Sequence, residues 1–135
     1  MKRPQTLYDV SKQVAAGDME FGPAVREFLD TFYGSDDTKR AAIIRGRPLR
    51  LNPVRDAYLA ATAEHLALQY DLEVPEWTEH QGNELDRAHF SGGLESLKAI
   101  LIVESPMAFR RRLLFVSANA LDRASMHADR TPLSA

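Results

Sequence analysis

The stretch that opens at Asn52-Pro53 commits this chain to helix more firmly than any other. A capping side chain is followed by proline at the first helical position. The chain then runs to Tyr70 with no glycine and no further proline. It carries Ala57, Ala60, Ala61, Ala63 and Ala67, with Tyr58, Leu59, Leu66 and Leu68 between them. Alanine is the best helix former and lets neighbouring backbones come close. The pattern predicts a central, well-buried helix from Pro53 to about Tyr70.

The rest of the chain is punctuated in the same way. Thr6 and Asp9 have capping-box spacing, Leu7, Val10 and Val14 share a helical face, and Gly17 supplies a stop. This predicts a first helix over 6–16. Pro23 suits the first turn of a second, with Phe21, Val25, Phe28, Leu29 and Phe32 on one side and Gly34 at its end. Ser35 is expected to cap a third helix, with Asp36 and Asp37 near its positive end and Gly46-Arg47-Pro48 beyond it. Leu94, Leu97, Ile100, Leu101 and Val103 predict another. Ser105-Pro106 repeats the cap-plus-proline signal and predicts a short helix through about Arg112. Leu113–Val116 reads as extended, and Ser117 as the cap of a last helix over 118–124.

Residues 73–92 break the period with Pro75, Trp77, Gly82 and Gly92. They are expected to form one long ordered loop with a single helical turn near Glu84–His89. No hairpin signal appears. The expected fold class is therefore all-α, a compact bundle of about five to seven helices. The expected organisation is a single helical domain over 1–124 and a flexible C-terminal tail over 125–135.

Composition narrows function mainly by exclusion. The sequence contains no cysteine, which removes disulfides, thiolate nucleophiles and cysteine-based metal sites. The longest apolar run, Ala99–Val103, is far short of the roughly 18 residues of a spanning helix. Met1-Lys2-Arg3-Pro4 has no apolar stretch behind it, so no signal peptide is read and the expected address is a bacterial-type cytoplasm. Net charge is −2, without the positive excess that phosphate neutralisation calls for. No cofactor and no membrane contact are expected.

Candidate chemistry is sparse. His65, His80, His89 and His127 share no i, i+4 spacing, so no metal site is expected. Glu79, Glu84 and Asp86 could act as an acid/base pair only if one were desolvated, and solvated surface acids are the usual case. Ser91-Gly92-Gly93 lacks the surrounding pattern of a nucleophile elbow. No catalytic residue is assigned. Arg110-Arg111-Arg112 fans over about 200° of a helix, so at least one arginine should lie against the protein, paired with an acid. The run reads either as stabilising charge at a helix end or as an anchor for an acidic partner. Arg45, Arg47 and Arg50 form a second basic group at the third helix's end. Trp77 and Phe90 are either lids over the core or interface anchors.

Asp56–Ala61, Pro75-Glu76-Trp77, Phe90 and Glu104–Val116 together resemble small bacterial antitoxin-like proteins encoded beside nucleotidyltransferase-type toxins. The resemblance spans about residues 20–124. It implies a helical protein that neutralises a toxin by stable contact. Such proteins often also bind their own promoter. Here a helix-turn-helix formed by the second and third helices would present Asp36 and Asp37 to DNA, which opposes that use. The expected function is thus a non-enzymatic protein-binding module. Its contact residues would be Trp77, Phe90, Phe109, Arg110, Arg111 and Arg112, and its partner a cognate toxin, with self-association left open. A DNA-binding regulator and a small enzyme using the loop carboxylates or histidines are the alternatives.

Overall fold

The computed structural model describes residues 3–80, 82–91 and 97–126. Among them the chain is mostly helical, with six α-helices, short 3-10 turns and two very short strands. Contacts divide the chain into two units. One comprises residues up to Leu49 and those from Leu121 onward; the other is Arg50–Ala120, inserted between them in sequence.

The first unit holds α1 (Leu7–Ala15), α2 (Phe21–Tyr33) and α3 (Asp37–Arg45). The capping box of α1 is formed. The Asp9 amide donates to Thr6 Oγ1 at 2.9 Å, and the Thr6 amide donates to Asp9 Oδ2 at 3.2 Å. Past its end, Gly17 takes a φ of 79°, the left-handed stop expected of it. The stripe of α2 buries Val25, Phe28, Leu29 and Phe32. The Phe28 and Phe32 rings meet at 6.1 Å.

α2 and α3 are locked by a buried arginine. Arg40 Nε donates to the Phe32 carbonyl at 2.9 Å and Nη2 to the Tyr33 carbonyl at 2.8 Å. These are the carbonyls that the end of α2 leaves without helical partners. The cap of α3 is Asp36, whose carboxylate accepts the Lys39 amide, and not Ser35. The Ser35 hydroxyl is instead drawn to the Thr31 carbonyl at 2.6 Å.

The expected last helix over 118–124 does not form; residues 118–121 make a turn. Tertiary partners hold this segment in another shape. Tyr33 Oη donates to the Leu121 carbonyl, and Arg123 grips both oxygens of Asp30 at 3.1 and 3.0 Å. Ser125, where the flexible tail was expected to begin, donates to Asp30 at 2.7 Å. The rest of that tail, from residue 127, lies outside the described residues.

The second unit is built on α4 (Pro53–Gln69). Asn52 Oδ1 caps it by accepting the Arg55 amide at 2.9 Å, as its sequence predicts. From Ala57 to Ala67 nearly every residue is buried. The 3-10 turn Glu76–Glu79 follows and buries Trp77 and Thr78. The helical turn expected near Glu84–His89 is absent. That segment is largely exposed and has no apolar stripe to bury. Its end, His89–Phe90, forms β1, which pairs in parallel with β2 (Leu114–Phe115).

The beginning of the helix predicted from Leu94 lies outside the described residues, as do Gly92 and Gly93. Its described part is α5 (Lys98–Glu104). The short helix α6 (Met107–Arg110) ends two residues before the expected Arg112. Ser105 does not cap it. Its hydroxyl donates to the Leu101 carbonyl and accepts the Val116 amide at 2.8 Å, fastening α5 to the residue after β2.

Candidate protein-contact site

Two features of the second unit bear on function: the arginine run with its carboxylates, and the outward side of α5. The run leaves α6 and turns into β2, which separates its three side chains. Arg112 is 2% exposed. Its Nη1 donates to Glu64 Oε1 at 2.6 Å and to the Ala108 carbonyl at 2.7 Å, and its Nη2 to the Thr78 carbonyl at 3.1 Å. Arg111 Nε donates to the same Glu64 oxygen at 2.9 Å, and its Nη2 pairs with Glu79. One carboxylate on α4 thus fastens α6 and, through Arg112, the 3-10 turn. Burial tends to raise the Glu64 pKa, but hydrogen bonds and charge from Arg111 and Arg112 outweigh it, holding the pKa below its ordinary value. Hydrogen bonding to Glu64 likewise raises the pKa of Arg111.

The six contact residues expected from sequence therefore do not make one exposed face. Phe109 is fully buried, edge-on to Tyr58 at 5.1 Å. Trp77 is 6% exposed, and its carbonyl accepts Asn83 Nδ2. Phe90 is half-buried, stacked on Phe115 at 4.8 Å with the Lys98 ammonium 5.1 Å from its ring centre. Arg112 is internal and Arg111 is engaged by two acids. Arg110 and Arg111 are both exposed. These aromatics and two of the arginines help to assemble the unit.

The carboxylates and histidines of the loop do not converge either. Glu79 serves Arg111, while Glu84, Asp86 and His89 are exposed. His65 lies 6.5 Å from the Phe109 ring, and His127 is outside the described residues. Among the described residues no group of three or more His, Asp or Glu could hold a metal. Arg50, from the second basic group, donates to Asn83 Oδ1 at 2.9 Å and to the Gly82 carbonyl.

The outward side of α5 is apolar and exposed, an arrangement the sequence alone does not place. Leu101 is the helix's inward anchor, at 8% exposure. With about 100° per residue, the opposite side presents Ile102, Ala99, Val103 and Ile100 in angular order. All four are exposed, Val103 to 77%. Leu97 before the helix and Met107 after it are exposed as well. The signal was legible in part: Ala99–Val103 is an unbroken apolar run, not an alternation of apolar and polar faces.

No family model, curated protein or solved structure matches the chain. Among the described residues no helix is long and apolar enough to cross a membrane.

Proposed function

We propose that this chain is a non-enzymatic protein-binding module of the antitoxin type, which neutralises a cognate toxin by stable contact through α5 and the adjoining Met107 and Arg110. The observation that supports this reading is α5 itself. A surface helix normally turns a polar face to water. α5 instead carries aliphatic side chains on its outward side, an arrangement that stabilises a chain only when another apolar surface covers it. Arg110, one turn beyond Met107 on α6, adds a charge at the margin, where interfaces are polar.

The test is co-purification of the chain with the product of the adjacent gene, together with growth rescue when both are expressed. The wild type should form a stable complex and relieve toxicity. Ile100→Glu and Val103→Glu should lose both while keeping their helical circular dichroism. Absence of any complex, with toxicity unrelieved, would overturn the reading.

A further inference from the structure

We infer that residues 121–126 are a strap that lifts off α2 in one piece while α1, α2 and α3 stay folded, and that the Asp30 carboxylate is its catch. The segment follows the second unit in sequence and belongs by its contacts to the first. The chain's return to the first unit is made or undone there. The attachments are few and converge on one side of α2. Leu121 is the one buried residue of the segment, at 4% exposure, and its carbonyl accepts Tyr33 Oη at 2.8 Å. The other side-chain hydrogen bonds all end on Asp30. Arg123 Nε and Ser125 Oγ donate to Oδ1 at 3.1 and 2.7 Å, and Arg123 Nη2 donates to Oδ2 at 3.0 Å. Asp30 and Tyr33 are three positions apart on α2 and therefore neighbours on its surface. Among the described residues no backbone hydrogen bond joins 121–126 to the three helices; the Met126 amide bonds within the segment, to the Arg123 carbonyl.

Such a segment opens more easily than the helices it rests on. Stretches with few buried apolar side chains and no backbone ladder to their neighbours open at free energies below that of global unfolding. α3 is held differently: Ile43 and Ile44 are buried, and Arg40, at 7% exposure, ties it to the end of α2. The catch also sits where its two charges can part. The Arg123 and Asp30 side chains keep 34% and 25% exposure, so water takes up both as they separate. Arg112, at 2%, has no such route, because leaving Glu64 would strand its charge in the interior. One accessible ion pair thus decides whether the strap is closed, and replacing Asp30 should release it without disturbing the helices.

The experiment is limited proteolysis of the full chain with trypsin at low concentration, the rate of cleavage at each bond being followed by mass spectrometry. Trypsin draws the arginine side chain into a pocket, so cleavage after Arg123 requires its guanidinium to leave Asp30. Cleavage after Arg26, inside α2, requires that helix to unravel. At low protease the two rates report the populations of the two openings. In the wild type, cleavage after Arg123 should be at least about tenfold faster than after Arg26, and Asp30→Ala should raise that ratio by a further tenfold or more. A wild-type ratio near one would mean that the segment opens only with the helices. A ratio unchanged by Asp30→Ala would mean that Asp30 is not the catch. Either result overturns the inference.

Discussion

Glu64 carries more of the second unit than any other single residue. Its carboxylate is buried and faces Arg112, which is almost wholly enclosed. Removing one partner of such a pair strands the other without compensation, at about 3–5 kcal/mol. Glu64→Gln should therefore lower the unfolding free energy obtained from urea denaturation by an amount of that order. The double change Glu64→Leu with Arg112→Met should recover much of the loss, since an apolar pair of similar volume avoids the desolvation. The pH dependence has a fixed sign. A carboxylate whose folded pKa is depressed stabilises the fold above its unfolded pKa, and that stability is lost as pH falls through the folded value. For Glu64 the loss begins below its ordinary 4.5. Acid titration of the wild type should show stability falling there, and Glu64→Gln should flatten the slope. Gly82 is the second sensitive point. It sits at a φ of 93°, and a Cβ there would lie 3.2 Å from the Arg50 guanidinium that bonds its carbonyl. Gly82→Ala should cost about 1 kcal/mol or more, read as a drop in thermal midpoint. None of these pairings was legible in sequence. Glu64 and Arg112 are 48 positions apart, and only the statement that some arginine of the run must face an acid could be made in advance.

At the scale of elements, legibility followed the range of the interaction that decides each one. The starts of α1 and α4 are settled within four residues, by Thr6 with Asp9 and by Asn52 with Pro53, and the structure has both. Thr6→Ala and Asn52→Ala should each destabilise by about 1 kcal/mol in chemical denaturation, the usual cost of a lost cap. Elements decided by distant partners differ from what their local sequence predicts. Ser105 looked like a cap, but its hydroxyl is held by Leu101 and Val116. Residues 118–124 looked helical, but Tyr33 and Asp30 claim Leu121 and Arg123. The pairing of β1 with β2 joins two residues to two others across more than twenty positions, with no turn chemistry to announce it. α5 is expected as a helix from its sequence, but apolar composition alone does not say which side is covered.

At the scale of the whole molecule, the apolar residues divide into two groups with different tasks. Phe28, Phe32, Leu59, Leu66, Trp77 and Phe109 are enclosed within their own units and hold helices together. Ile100, Ile102, Val103 and Met107 hold nothing within the described residues to the same degree. The first group made the helical class legible from sequence. The second required the structure, and it moved the proposed contact surface away from Trp77, Phe109 and Arg112. Charge substitutions on α5 should accordingly leave thermal stability within about 0.5 kcal/mol of the wild type, as surface changes do, whereas Phe109→Ala should cost about 3–5 kcal/mol. The central claim is that α5 is covered by a partner. Amide hydrogen exchange of the chain, alone and mixed with the adjacent-gene product, tests it most directly. The account predicts that new protection concentrates in residues 97–107. Protection confined to other segments, or none at all in a complex that demonstrably forms, would contradict it.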